Sequence, residues 1–87
     1  MVKNNNLQEI YEYLSEKYTK WYCSSSKSEK AEIERLVHYY LENIDDAIYS
    51  EMSNERARGF CDSQFFEDDI RRCINILNEK LHPTINS

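Results

Sequence analysis

The strongest candidate nucleophiles in this sequence are its three cysteines, Cys23, Cys61 and Cys73. A catalytic cysteine needs a neighbouring base and an electropositive setting, because the thiolate is the reactive form. Cys61 comes closest, since Arg56 and Arg58 precede it near the predicted start of a helix. Asp62 is adjacent, however, and no histidine lies nearby in the sequence. We therefore predict that the protein is not an enzyme.

Metal binding and disulfide formation are also disfavoured. The cysteines are odd in number, form no CxxC pair and come without an evident export signal, which favours reduced thiols. The sequence around His38, RLVHYY, lacks the Glu-x-x-His spacing of di-iron bundles. A site built from Cys61, Cys73 and a histidine would need tertiary contacts that no sequence pattern indicates. We expect no metal ion and no cofactor.

Two clusters of carboxylates have the spacing that acid–base chemistry could use. The first is Glu42, Asp45 and Asp46, and the second is Glu67, Asp68 and Asp69. Acid–base catalysis needs a pocket that raises the pKa of one carboxyl group, and a solvated helix face supplies none. Glu42 and Asp46 repel each other at a spacing of four residues, which a basic partner would relieve. A solvated helix face is the default interpretation of both clusters, and the repulsion within the first favours a binding surface as the alternative.

Side chains outside the apolar stripes of the predicted helices indicate the same kind of surface. They are Tyr39 and Tyr49 in the second predicted helix, Tyr13 in the first, and Phe65, Arg72 and Ile76 in the third. Tyr39 and Tyr49 lie roughly 100 to 120° from the centre of their stripe, on opposite sides of it. Aromatic residues and arginine are enriched at protein interfaces. The alternative, that A/T-rich codons placed tyrosines on helix flanks where they bind nothing, stays open.

The elements that carry these residues are predicted to be helices. One glycine and one proline in 87 residues leave little room for hairpin turns. Apolar residues recur with helical spacing over about 7–22, 29–53 and 63–81, with a break near Gly59 and a stop at Pro83. Asn6 and Ser26 have the spacing of capping boxes, and Asp62 or Ser63 is suited to cap the third helix.

These helices predict a single all-α domain over residues 1–87, arranged as a small up-down-up three-helix bundle. A chain of this length buries only about 60 to 65% of the surface that its unfolded form exposes. Its core must therefore be economical, and dimerisation is a second way to complete it.

Charge and hydropathy limit the partners. Sixteen acidic against eleven basic residues give a net charge of −5, which repels phosphate backbones and favours a basic partner. No stretch resembles a signal peptide or approaches the roughly 18 apolar residues of a membrane span. We expect a cytoplasmic protein that binds neither nucleic acid directly nor a membrane.

The favoured hypothesis is a small acidic helical binding protein that inhibits or occludes a larger, basic protein, as immunity proteins, antitoxin-like inhibitors and phage-type inhibitors do. The alternative is a self-associating structural or regulatory bundle, a homodimer formed through the second helix without inhibitory activity. Salt separates them, because charge-steered binding weakens as ionic strength rises and apolar self-association does not. The predicted contact residues are Tyr39, Glu42, Asp45, Asp46 and Tyr49, with Tyr13, Phe65, Arg72 and Ile76 as further members.

Overall fold

The computed structural model describes residues 3–53 and 65–82. These residues form four α-helices: α1 (Leu7–Cys23), α2 (Lys27–Leu41), α3 (Asp46–Ser53) and α4 (Phe66–Leu81). No β-strand occurs in this part of the chain, so the prediction of an all-α protein is confirmed. The predicted break at Gly59, the predicted cap at Asp62 or Ser63 and the candidate nucleophile Cys61 lie outside the described residues.

Helices α1 and α2 begin at the capping residues that the sequence indicates. The Asn6 side chain accepts a hydrogen bond from the Glu9 N–H at 3.1 Å, and the Ser26 hydroxyl accepts one from the Glu29 N–H at 3.3 Å. Both bonds satisfy backbone donors that have no partner inside the first turn of a helix. The predicted starts of these two helices are correct to within about two residues, the usual uncertainty of a helix end.

The prediction of one long helix over residues 29–53 is wrong, because α2 ends at Leu41 and a separate helix, α3, begins at Asp46. The Ile44 N–H donates to the Leu41 carbonyl at 3.5 Å in a turn that follows α2. The Asp45 carboxylate then accepts hydrogen bonds from the backbone N–H groups of Ala47 (3.0 Å) and Ile48 (3.4 Å), which starts α3. Ile44 and Met52 stay buried on the same core as α2, so the apolar period continues across the break.

Helix α1 packs against both α2 and α4, and α3 packs against α4. Tyr13 contacts Tyr40 whereas Trp21 lies under the Lys30 ammonium, so α1 and α2 run antiparallel. Trp21 also contacts Phe66, while residues 15–19 share a groove with residues 71–75, so α1 and α4 are antiparallel too. An up-down-up bundle would have placed the last helix parallel to the first. The described residues also contain a helix, α3, that the prediction of three helices did not include.

One apolar core joins the four helices. Every helix contributes to it, and the turn between α2 and α3 adds one side chain. Its buried members are Ile10, Leu14, Ile33, Val37, Leu41, Ile44, Met52, Phe66, Ile70, Cys73 and Leu77. In residues 3–53 and 65–82, none of the helices has the length and the apolar character that crossing a membrane requires.

Candidate functional site

Groups suited to covalent or metal chemistry are dispersed in the described residues. No three side chains of histidine, cysteine, aspartate or glutamate converge there as metal ligands would. Cys23 is an exposed free thiol on α1 and Cys73 is a buried one on α4. Glu79 and His82 do have Glu-x-x-His spacing, which sequence reasoning overlooked, and both are exposed near the end of α4.

The turn between α2 and α3, together with the adjoining ends of both helices, carries four of the predicted contact residues. We call this region the corner surface and define it as Tyr39, Glu42, Asp45 and Asp46. Tyr39 leaves 69% of its surface exposed, more than any other large apolar side chain in the described part of the chain. Glu42 lies three residues further along and is also exposed, with its carboxylate 3.6 Å from His38 Nε2. An aromatic ring and a carboxylate thus project side by side.

The sequence predicted that the three carboxylates of the corner surface share one solvent-facing side of a continuous helix. In the structure they do not. Asp45 is the cap of α3 and is half-buried, and its Oδ2 accepts the hydrogen bonds from the Ala47 and Ile48 N–H groups. Asp46 is the first residue of α3, and its Oδ1 lies 2.8 Å from Lys3 Nζ. The hydrogen bond to Asp46, together with its negative charge, raises the pKa of the Lys3 ammonium.

The segment that precedes α1 holds the corner surface in place. The Asn4 N–H donates to the Asn43 carbonyl at 3.3 Å, and the Asp45 N–H donates to the Asn4 carbonyl at 2.8 Å. These two bonds make Asn4 pair with Ile44 as in a parallel bridge. The Asn4 side chain also donates to the Tyr40 hydroxyl at 3.0 Å. Hydrogen bonds to Asn4 therefore hold the backbone of the turn on both sides of Ile44.

Tyr13 and Tyr49, two predicted contact residues, take part in packing. The Tyr13 ring stacks on Tyr40 with 3.7 Å between centroids and 11° between planes. The Tyr13 hydroxyl donates to the Leu36 carbonyl at 3.4 Å. Burial raises the pKa of both Tyr13 and Tyr40, because it disfavours the ionised phenol. Tyr49 is half-buried against the core. Both predicted contact residues thus contribute to the fold, and their role in binding is untested.

The predicted line of Phe65, Arg72 and Ile76 does not form one surface. Arg72 turns toward α3, where its Nη2 donates to the Met52 carbonyl at 2.9 Å. Arg72 thereby satisfies a carbonyl in the last turn of α3, where a helix leaves acceptors unpaired. The same Nη2 lies 3.9 Å from the Oδ1 of Asp69, which is fully buried. Ile76 is half-buried against the core, and only Phe65 is exposed.

Within residues 3–53 and 65–82, two open grooves lie between helices away from the corner surface. A groove of about 280 Å³ between α1 and α4 is lined by Ser15, Tyr18, Thr19, Arg71, Ile74 and Asn75. A second, of about 430 Å³ between α1 and α2, is lined by Lys17, Lys20, Cys23, Ser24, Glu29 and Ile33. The second groove mixes both charge signs, and Lys20 is already paired with Glu16 at 3.2 Å. Neither groove presents several unpaired groups of one kind to a ligand.

Comparisons of this chain with protein family models, with curated proteins and with solved structures found no match. Arguments about function therefore rest on its own residues. Within the described residues, the corner surface combines the most exposed aromatic ring with carboxylates and a backbone held by several hydrogen bonds.

Proposed function

We propose that this protein binds a larger protein with a basic surface through the corner surface and, by covering that surface, inhibits the partner. The observation that carries the proposal is the exposure of Tyr39, 69%, one helical turn from the exposed carboxylate of Glu42. In the described part of the chain, the Tyr39 side chain makes no hydrogen bond and no ring contact. Packing within the described residues therefore does not explain why a tyrosine stands at position 39.

The corner surface has the physical properties of an interface anchor. A tyrosine offers a large apolar ring with a polar tip and loses little rotamer entropy when it is fixed. The Asn43 amide donates to the Tyr39 carbonyl at 2.9 Å, and Asn4 holds the turn that follows. A surface fixed before binding avoids the free-energy cost of ordering it at the moment of binding. These features favour tight contact over a small area.

The charge of the chain supports a basic partner. The net charge of −5 steers cationic surfaces toward the protein and repels phosphate backbones. The exposed carboxylate of Glu42 places part of that charge one helical turn from Tyr39, and Asp46 adds an exposed carboxylate at the start of α3. We infer from this arrangement that the partner presents lysine or arginine beside an apolar depression that accepts the tyrosine ring.

A second candidate function is self-association through α2. Leu36 is 41% exposed and lies three residues before Tyr39, so α2 presents two large apolar side chains within one turn. Two copies that paired through these residues would bury both of them and complete the small core as a homodimer. Such pairing would persist as salt increases, whereas charge-steered binding to a basic partner would weaken. Sedimentation at two ionic strengths separates the two candidates.

The decisive experiment compares two tyrosines of similar exposure. Tyr39→Ala removes the proposed anchor, and Tyr22→Ala removes a ring that is 64% exposed on α1, away from the corner surface. The parent is used to capture its partner from native extract, and the captured protein is identified and purified. We expect Tyr39→Ala to weaken binding of that protein by about 2 kcal/mol, roughly 30-fold, and Tyr22→Ala to leave it unchanged.

Melting temperatures of both variants check that neither change acts through folding, because exposed side chains alter stability by about 0.5 kcal/mol or less. Equal affinities for the parent and Tyr39→Ala would contradict the proposal. Inhibition is tested separately, by measuring the partner's activity with the parent added in excess. An unchanged activity would leave a binding protein that is not an inhibitor.

The electrostatic part is tested by charge reversal at Glu42 and Asp46 together. Asp45 is left intact because it caps α3. The matched control reverses Glu12 and Glu79, two exposed carboxylates on α1 and α4, so that both double variants carry the same net charge. We expect Glu42→Lys with Asp46→Lys to reduce the association rate far more than the control does, and most strongly at low salt. Equal losses would show that only the overall charge matters.

A further inference from the structure

The corner surface is already in contact with a cation from its own chain. Lys3 Nζ lies 2.8 Å from Asp46 Oδ1, although the two residues are 43 positions apart in the sequence. The side chains of Lys3 and Asp46 remain 47% and 88% exposed. The pair is thus open to water and can separate without disturbing the core.

The fold, and not local sequence, brings these two residues together. Asn4 is paired with Ile44, and its carbonyl accepts from the Asp45 N–H at 2.8 Å. The residue before Asn4 is therefore held beside the first turn of α3. Asp46 stands at the start of that helix, where the helix dipole stabilises a carboxylate. The position of Asp46 is therefore set by the backbone of α3 and not by Lys3.

We propose that Lys3 makes an autoinhibitory contact: its ammonium occupies the carboxylate that a lysine or arginine of the partner takes when it binds. The inference rests on the proposed function, since it names the regulation of the same surface. Lys3 resembles the partner's cation in its chemistry, and Asp46 cannot serve both fully at once. Binding of the partner then requires that Lys3 move away from Asp46.

Because both side chains are exposed, the Lys3–Asp46 contact is expected to weaken binding of the partner only slightly. Ion pairs between exposed side chains change affinity or stability by a small amount, equivalent to about 1.5- to 5-fold in an equilibrium constant. Salt screens such a pair, so the competition is expected to be strongest at low ionic strength.

The test compares Lys3→Gln with Lys27→Gln, a change of identical charge at an exposed residue in the first turn of α2. The probe is a synthetic amphipathic helical peptide rich in lysine and arginine, titrated by calorimetry at low salt. We expect Lys3→Gln to bind the peptide about 1.5- to 5-fold more tightly than Lys27→Gln does. Equal affinities of the two variants would overturn the proposal.

A double-mutant cycle shows whether the effect passes through the named contact. In an Asp46→Asn background, Lys3→Gln is expected to have no effect beyond that of Lys27→Gln, because the competed carboxylate is gone. An undiminished effect in that background would also overturn the proposal.

The outcome separates this inference from the proposed function. If peptide binding depends on Tyr39 and Glu42 but not on Lys3, the autoinhibitory contact is ruled out and the proposed function is retained. Failure of every variant to bind the peptide removes the autoinhibitory contact, and the proposed function is then decided by comparing Tyr39→Ala with Tyr22→Ala on the captured partner.

Discussion

The corner surface differs from an aromatic cluster formed by Tyr18, Trp21 and Phe66 near the end of α1. The cluster packs its aromatic rings between helices, whereas the corner surface exposes one. In the cluster, the Trp21 indole N–H donates to Glu34 at 2.7 Å, the Tyr18 hydroxyl donates to Glu67 at 3.4 Å, and Trp21 lies 5.1 Å from Phe66 between ring centroids. Each polar tip has a partner from another helix. At the corner surface, the Tyr39 ring projects into solvent without such a partner among the described residues.

The difference shows how packing aromatics can be told from candidate anchors. Tyrosine and tryptophan that hold helices together bury the ring and satisfy the polar tip within the chain. Tyr13 follows this rule, because its ring stacks on Tyr40 and its hydroxyl reaches the Leu36 carbonyl. Position on a helical wheel placed Tyr13 and Tyr39 in the same class. Contacts in the folded chain distinguish the two, because Tyr13 has partners on another helix and the Tyr39 ring has none among the described residues.

The comparison is tested most severely at Ile44, which is 1% exposed on the inner side of the corner. Ile44→Asp places an unpaired charge in the core, and we expect it to abolish folding or to cost several kcal/mol of the free energy of unfolding. Far-ultraviolet circular dichroism and thermal melting measure the loss. Tyr39→Asp introduces the same carboxylate on the outer side and serves as the control. A normal melting transition for Ile44→Asp would show that the core is misassigned.

Much of the fold was predictable from local signals. Asn6 and Ser26 act within three residues of themselves, so their capping roles follow from spacing alone. The apolar periods predicted helix ends at about residues 22 and 81, and α1 and α4 end at Cys23 and Leu81. The break at residues 42–45 was missed because Leu41, Ile44 and Met52 keep a helical period across it. The Asp45 cap was the available signal, and it was interpreted as surface charge.

The candidate site was less predictable because its key contacts join distant parts of the sequence. Asn4 meets Asn43 and Asp45, and Lys3 meets Asp46, across about forty residues. Helical periodicity carries no information about such pairs. Tyr39 could be placed correctly because exposure follows from its own helix alone. Arg72 could not, because its bond to the Met52 carbonyl exists only where α3 meets α4.

A smaller effect distinguishes the two neighbouring aspartates of the corner surface. Asp45→Ala removes the cap of α3, and we expect it to lower the free energy of unfolding by about 1 kcal/mol. Asp46→Ala removes an exposed ion pair with Lys3 and should leave the free energy of unfolding nearly unchanged. Urea unfolding of both variants measures the difference. Equal losses would mean that the carboxylate of Asp45 is not needed to start α3.

The smallest predicted effect concerns pH and the stacked tyrosines. Burial raises the pKa of Tyr13 and of Tyr40 above the value of about 10 that is usual for a tyrosine. The folded state therefore favours the neutral phenols, and this contribution to stability is fully present below pH 10. It is lost as the pH rises through the higher pKa values of the folded protein. The free energy of unfolding should thus fall more steeply above about pH 10 than below it.

Phenylalanine variants isolate the tyrosine contribution from that of lysines, which also lose their charge in alkaline solution. Tyr13→Phe with Tyr40→Phe keeps both rings but removes both ionisable groups, so its stability should decline less with rising pH. Tyr39→Phe with Tyr22→Phe is the matched control, because both of these rings are exposed on the same two helices. The stacked pair should flatten the alkaline decline more than the exposed pair. If the two double variants and the parent decline in parallel, Tyr13 and Tyr40 are as open to water as Tyr39. The distinction between packing tyrosines and a candidate anchor would then fail.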